Sequence, residues 1–210
     1  MTSTSFDRFA GLSAIAVGIG GLVYAGLFIY IVAGAPDFVR SLWFLLLLLG
    51  GVLTSAVLVG VYGWVRDTDP GLALWMLVLG LGGALGGILH GGFNLGVLAG
   101  ESPGPVAALG AEAVSGGVLR YGIGGLGLLV LGGLLARSGR FPRALGYLAG
   151  AGGVLLLVTY AGRLAGFIDP AQRLSLIPPV LYGLVVHPVV YLWLGRTLWR
   201  GPPGGSMAPS

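Results

Sequence analysis

Apolar residues form six long runs along the chain, separated by short segments that contain Pro, Gly, Asp or Arg. A helix needs about 20 apolar residues to cross the hydrocarbon core of a bilayer. Each run reaches that length: Phe9–Val32, Leu42–Val65, Gly71–Gly100, Gly116–Ala136, Ala144–Gly166 and Leu174–Leu194. We therefore predict an all-α, polytopic membrane protein with six transmembrane helices, a single domain over residues 1–200 and a flexible, cytoplasmic Gly/Pro tail over residues 201–210.

The composition agrees with this class and excludes several others. Hydrophobic residues make up 56% of the 210 residues and charged residues only 9%, whereas a soluble domain carries about 25% charged residues. There is no Cys, which excludes disulfides and iron–sulfur clusters, and all 11 basic residues are Arg. Without Lys there is no Schiff base, which excludes retinal proteins and pyridoxal enzymes. The Arg residues lie between apolar runs rather than in a patch, so we expect no nucleic-acid partner.

The distribution of Arg predicts that both ends of the membrane domain face the cytoplasm. With the N-terminus inside, seven Arg fall on the cytoplasmic side: Arg8, Arg66, Arg137, Arg140, Arg143, Arg196 and Arg200. Four fall on the other side: Arg40, Arg120, Arg163 and Arg173. Since cytoplasmic loops carry the excess of basic residues, this count favours a multi-pass protein of the cell (inner) membrane with an N-in, C-in topology.

Four ionisable residues lie within the apolar runs and provide the candidate site: His90, Arg120, Arg163 and His187, which include both His of the chain. Such residues are costly in a membrane and normally face the bundle interior or a wet cavity. At 1.5 Å rise per residue, the two imidazoles lie in the outer half of the bilayer, within about 5 Å of the same depth. Both guanidinium groups lie near the outer ends of their runs. We therefore predict one pocket in the outer half.

Helical spacing adds neighbours to this pocket. Three polar residues share a helix face with one of the four ionisable residues: Asn94, Tyr160 and Tyr191. Glycines on the His90 face would let another backbone or a flat ligand approach closely. Glu112, in the predicted outer segment Glu101–Ser115 with its short interfacial helix, is a candidate partner for one of the arginines. The five Trp fall near the ends of the runs, as in an aromatic belt that anchors the protein in the interface.

The most concrete function for this pocket is a b-type haem in membrane electron transfer. His90 and His187 would be the axial metal ligands, and Arg120 and Arg163 would pair with the propionates. A quinone is a variant of this hypothesis, with a carbonyl bonded to either His.

Other functions remain open for the same residues. A transporter or lipid-binding protein would use the arginines to hold a small anion or a headgroup, oriented by Asn94, Tyr160 and Tyr191. A non-catalytic subunit of a larger membrane complex, or a homo-oligomer, would pack through its Gly-rich helix faces. The polar residues can also simply satisfy one another or snorkel to the headgroups. An enzyme is the least favoured class, because no carboxylate lies within a run to act as a base.

Three segments resemble a family of bacterial six-helix integral membrane proteins whose common domain has no assigned function. They are Arg8–Leu12 at the start of the first run, the basic connector Leu135–Leu145, and Tyr191–Leu194 before Arg196. The resemblance implies a six-helix fold over nearly the whole chain and no mechanism. Members of that family tend to carry an acidic residue in the last span, near the position of His187 here.

Overall fold

Six long helices make up most of the part of the chain that the structure describes. A computed structural model describes residues 4–32, 36–100, 117–167 and 177–201, and every regular element within these ranges is helical. The helices are α1 (Ser5–Val32), α2 (Asp37–Val65), α3 (Pro70–Leu98), α4 (Val118–Arg137), α5 (Arg143–Leu164) and α6 (Ile177–Arg200). All six are long and apolar enough to cross a membrane. They confirm the predicted all-helical architecture and support a multi-pass membrane protein.

The helix ends extend past the apolar runs wherever polar residues can cap them. At the start of α1, the Asp7 backbone N–H donates to the Thr4 hydroxyl (3.1 Å), and the Asp7 carboxylate accepts from the Thr4 N–H (2.7 Å). At the start of α3, the Asp69 carboxylate accepts from the Leu72 N–H (3.0 Å), and Pro70 takes the first helical position. These contacts satisfy N–H groups that a helix leaves without a partner in its first turn.

The helices form a closed ring. Each helix packs mainly against its neighbours in the sequence, and α6 returns to pack against α1. Pairs such as Gly51 with Ala84 and Gly91 with Phe44 show that α2 and α3 run antiparallel. Gly11 beside Gly195 and Gly18 beside Leu192 show the same for α1 and α6. In this order α3 and α6 lie on opposite sides of the ring.

One end of the ring is densely packed, and we call it the packed end. There the Trp64 indole N–H donates to the Asp7 carboxylate (3.1 Å). The Arg140 guanidinium donates to the Trp64 carbonyl (2.7 Å) and to the Asp67 carboxylate (2.8 Å). Phe141 packs on the Trp64 ring, with ring centroids 5.4 Å apart. These contacts join the start of α1, the end of α2 and the connection between α4 and α5.

The outer surface of the ring suits a lipid environment. Every helix exposes large apolar side chains, among them Ile19, Leu45, Val78, Leu129, Val158 and Val189. Exposed apolar surface of this extent is expected where lipid, rather than water, surrounds a protein. The interfacial helix with Glu112 and the Gly/Pro tail were predicted for segments that lie outside the described residues. The N-in, C-in orientation remains a prediction from the distribution of Arg.

Candidate functional site

A cavity of about 920 Å³ lies at the centre of the ring, and all six helices contribute to its wall. Toward the packed end the wall is apolar, with Val61, Leu131 and Leu194. Toward the opposite end, which we call the polar end, the wall carries hydroxyl, imidazole and guanidinium groups. These belong to Tyr24, His90, Arg120, Tyr121, Arg163, Tyr182, His187 and Tyr191. The cavity is therefore amphipathic along its length.

Arg120 is the central charge of the cavity. Its Nη1 donates to the Tyr24 hydroxyl (2.9 Å). Its guanidinium carbon lies 5.0 Å from the centroid of the Tyr24 ring and 5.4 Å from that of Tyr121, both at cation–π distance. Within the described parts of the chain, the ion pairs join Asp37 to Arg40, and Asp67 to Arg66 and Arg140. None of these ion pairs includes Arg120. The contacts described above for its side chain are all with neutral aromatic residues.

Aromatic side chains connect Arg120 to His90. The Tyr24 ring stacks on Trp43 with centroids 4.8 Å apart, and the Trp43 indole N–H donates to the Tyr24 carbonyl (3.2 Å). Trp43 contacts Phe44 (4.9 Å), and Phe44 meets His90 edge to face (5.8 Å). Trp43, which the sequence predicts to be an anchor in the interface, also lines the cavity and joins α1 to α2. Its position near the start of its run does not reveal this second role.

His187 lies in a second aromatic group on α6. Its ring centroid is 5.6 Å from that of Tyr182 and 4.5 Å from that of Tyr191. The imidazole packs directly against Gly21 of α1, where a Cβ atom would collide with Cε1 and Nδ1. The buried Nδ1 has no hydrogen-bond partner among the described residues.

Two π-helical turns shape the cavity wall. One covers Val118–Ile123 of α4 and carries Arg120; the other covers Tyr182–Val186 of α6 and directly precedes His187. In α6 the His187 N–H donates to the Tyr182 carbonyl, five residues earlier. The next residue is Pro188, which has no N–H to donate. Pro188 is a sequence signal for a distortion of α6 at this point, whereas no Pro marks the turn in α4. Such turns are frequent at functional sites, and irregular backbone at membrane depth is tolerated where it lines a cavity.

The structure brings five of the seven predicted site residues to the cavity: His90, Arg120, Arg163, His187 and Tyr191. Arg163 is exposed at the polar end, with its guanidinium carbon 5.5 Å from the Tyr121 ring centroid. Asn94 and Tyr160 do not line the cavity. The Asn94 amide donates to the His90 carbonyl on its own helix (2.8 Å), and the Tyr160 ring packs against Gly122. The helical period predicts a shared face, but not which part of that face points inward.

The sequence did not assign five aromatic residues of the cavity wall to the site: Tyr24, Phe28, Trp43, Tyr121 and Tyr182. Tyr121 follows Arg120 directly, which is the only sequence signal that pointed to any of them. Among the described residues, no three or more His, Asp or Glu side chains form a group that could hold a metal ion. A haem would need only two axial ligands, and the two imidazoles lie on α3 and α6, on opposite sides of the ring.

Comparisons with protein-family models, with curated proteins and with solved structures gave no match. The function is therefore inferred from the chemistry of the cavity.

Proposed function

We propose that this protein is an integral membrane protein that binds an amphipathic ligand with an anionic head. The head, a carboxylate or a phosphate, binds Arg120 and Tyr24, and the apolar part of the ligand lies toward Leu131 and Leu194. The observation behind this proposal is the position of Arg120. Its side chain lines the cavity and contacts the neutral rings of Tyr24 and Tyr121, and it takes part in none of the ion pairs among the described residues.

The cost of a membrane-embedded arginine supports an anionic ligand. Even on the lenient insertion scale, an Arg at the centre of a membrane helix costs about 2.5 kcal/mol or more, and Arg120, the third residue of α4, bears a smaller part of that cost. An anionic partner offsets that cost, and the planar guanidinium matches the oxygens of a carboxylate or a phosphate with two parallel hydrogen bonds. Tyr24 orients one edge of the guanidinium through its hydroxyl.

The apolar half of the cavity supports an amphipathic ligand over a small inorganic anion. Beyond the polar end, the wall is made of aliphatic side chains: Val57, Leu58, Val61, Leu128, Leu131 and Leu194. Such a wall accommodates the apolar part of a ligand that is dissolved in the bilayer, because aliphatic side chains and lipid tails are equally apolar. A volume of about 920 Å³ also falls within the range of small-molecule sites, roughly 300 to 1,000 Å³.

Binding of a fatty acid and of the fatty alcohol with the same chain tests this proposal. Both probes would compete with a fluorescent fatty acid for the purified protein in uncharged nanodiscs at pH 8. We expect the acid to bind at least about tenfold more tightly, because a hydrogen bond to a charged group contributes about 1.5–3 kcal/mol.

An Arg40→Gln variant is the matched control for this measurement. Arg40 is a half-exposed residue near the start of α2 that pairs with Asp37 (3.4 Å) and does not line the cavity. The variant should keep the preference for the acid. Equal affinity of the wild-type protein for the acid and the alcohol would contradict an anion site at Arg120.

A haem held by His90 and His187 is a second candidate, favoured by the fact that both imidazoles line the same cavity. The two ligating nitrogens would have to be about 4 Å apart, since each imidazole–metal bond is about 2 Å long. Arg120 and Arg163 would hold the propionates, and the haem would supply one-electron transfer. Protein purified in mild detergent should then show a Soret band that shifts on reduction and is lost in His187→Ala. A colourless wild-type protein would rule this candidate out.

A further inference from the structure

We propose that the cavity opens sideways into the bilayer through a window between α1 and α2, and that its ligand is an anionic lipid that enters from the membrane. This inference rests on the proposed function, because it names the class and the source of the ligand that Arg120 holds. The window is lined by Ala16, Gly20, Leu46, Leu49, Gly50 and Leu53, all of which also line the cavity.

The exposure of two cavity-lining residues marks the window. Of the described residues in the cavity wall, three are exposed: Ala16, Leu49 and Arg163. Ala16 lies on the face of α1 that also exposes Leu12 and Ile19, and Leu49 lies on the face of α2 that also exposes Leu45 and Val52. Arg163 lies at the polar end, but Ala16 and Leu49 lie in the middle of α1 and α2, and Leu49 is 47% exposed. A side chain that contacts both the cavity and the outer surface lies where the two are continuous.

Two glycines keep the window open. A Cβ atom added at Gly20 or at Gly50 would have no neighbouring atom within 4 Å. Other glycines in the ring have close neighbours, such as Gly51, where a Cβ atom would lie 2.7 Å from the Ala84 carbonyl oxygen. Gly20 and Gly50 therefore leave space between α1 and α2 rather than bringing backbones together.

Contacts between α1 and α2 limit the window at both ends. Toward the polar end, Trp43 stacks on Tyr24 and donates to its carbonyl. Toward the packed end, Ala10 packs against Gly60, where an added Cβ atom would lie 2.6 Å from the Ala10 Cβ. Ala10 and Tyr24 are separated by about 21 Å along α1, at 1.5 Å per residue. The opening is therefore a bounded window and not a separation of the two helices.

The depth of the window determines what enters it. Ala16 is residue 12 of the 28 in α1, and Leu49 is residue 13 of the 29 in α2. The middle of a helix that spans a bilayer faces hydrocarbon chains. A water-soluble anion would not enter at this depth, whereas an acyl or isoprenoid chain is already there. The window is lined by Ala, Gly and Leu alone, which suits such a chain.

The position of the window below Arg120 fits a lipid with a single extended chain. Tyr24, which holds Arg120, lies eight residues beyond Ala16 along α1, or about 12 Å. A head bound at Arg120 would direct its chain down the cavity, and the end of a longer chain would leave through the window. The bilayer would then solvate the part of the ligand that the cavity does not hold.

Photo-crosslinking in vesicles tests the window. The probe is a fatty acid with a diazirine in the middle of its chain, incorporated into phosphatidylcholine vesicles that contain the full-length protein. After irradiation, mass spectrometry that locates the modified residue measures crosslinks at Leu128 and Leu131, which line the inside of the cavity, separately from those at Leu126 and Leu129, which are exposed on the outside of α4. In Gly20→Leu/Gly50→Leu, whose leucines fill the window, we expect the crosslinks inside the cavity to fall at least about tenfold.

The matched control is Gly26→Leu/Gly63→Leu. These glycines lie on the same two helices, also have no atom within 4 Å of an added Cβ, and do not line the cavity. This variant should be crosslinked inside the cavity like the wild type. If the window variant does not fold, Ala16→Phe replaces it, with Leu12→Phe on the outer face of α1 as its control.

The outcomes separate the two proposals. Equal crosslinking of the window variant and the wild type would overturn the window and leave the anion site at Arg120 intact. Wild-type protein that prefers the acid in nanodiscs but is not crosslinked inside the cavity would also overturn entry from the membrane. Absence of both the internal crosslinks and the acid preference would overturn the proposed function as well.

Discussion

Replacing Gly132 by valine should lower the stability of the protein strongly, whereas the same replacement at the adjacent Gly133 should leave its stability almost unchanged. A Cβ atom at Gly132 would lie 2.5 Å from the Gly150 nitrogen and 2.7 Å from the Gly146 carbonyl oxygen, both backbone atoms of α5. A Cβ atom at Gly133 would have no neighbour within 4 Å. Since a backbone cannot rotate away as a side chain can, α4 and α5 would have to separate.

The size of this effect follows from the stability of proteins in general. Overpacking of a well-packed core costs about 1–3 kcal/mol and sometimes more, out of a total stability of about 5–15 kcal/mol. Both variants lose a glycine and gain a β-branched residue, so their helix propensities change equally. Size-exclusion chromatography and thermal unfolding in detergent measure the difference. Similar unfolding temperatures for the two variants would contradict the described contact between α4 and α5.

Replacing Arg120 by leucine should weaken binding without a marked loss of stability. The variant removes a charge that would cost about 2.5 kcal/mol or more at the centre of a membrane helix, and less at Arg120, the third residue of α4. It also removes the hydrogen bond to Tyr24, and a hydrogen bond from a charged group is worth about 1.5–3 kcal/mol. Because the two contributions are similar in size, we expect the ligand-free variant to unfold at about the same temperature as the wild type. Its affinity for a fatty acid should fall about 10- to 100-fold, because the charge-assisted hydrogen bonds are lost.

The unfolding temperature and the affinity for the fatty acid would be measured on the same preparation. Arg40→Leu is the control, and it should retain fatty-acid binding. A marked loss of stability in Arg120→Leu would contradict a binding role. It would indicate that Arg120 has a structural partner, such as Glu112, which the sequence predicted and which lies outside the described residues. Unchanged fatty-acid affinity with unchanged stability would also contradict the proposal.

The number and position of the helices could be predicted because the length of an apolar run is a property of the sequence alone. The largest differences are at the ends of the helices. α1 begins at Ser5 rather than Phe9, and α6 ends at Arg200 rather than Leu194. These terminal turns contain polar residues such as Asp7 and Thr197, whose side chains bond to the Thr4 N–H and the Trp193 carbonyl. A hydropathy pattern does not register such turns as helix.

The direction in which a residue points could not be predicted in this chain. With 42 glycines, nearly every helix face contains small residues, and a glycine that touches a backbone cannot be distinguished from one that faces open space. Gly132 and Gly133 are adjacent and differ in this respect. For the same reason, the glycine-lined face of α3 predicted an inward position for Asn94, whose amide instead bonds within its own helix.

The ring itself depends on contacts between distant parts of the chain. Whether α6 packs against α1 determines whether a cavity exists, and no local pattern reports that contact. Tyr24 and Trp43 become parts of the site only through this closure, because α1 then places Tyr24, with Trp43 of α2 stacked on it, beside Arg120 of α4. Sequence spacing predicted the common depth of His90, Arg120, Arg163 and His187, but not the aromatic groups that surround them.

A crystal structure with a bound fatty acid, brominated near the end of its chain, is the most direct test of the anion site at Arg120. We expect the carboxylate to lie within hydrogen-bond distance of the Arg120 guanidinium and the Tyr24 hydroxyl. We also expect bromine density in the apolar part of the cavity or at the window between Ala16 and Leu49. A carboxylate bound elsewhere on the protein, with no ligand at Arg120, would contradict the anion site.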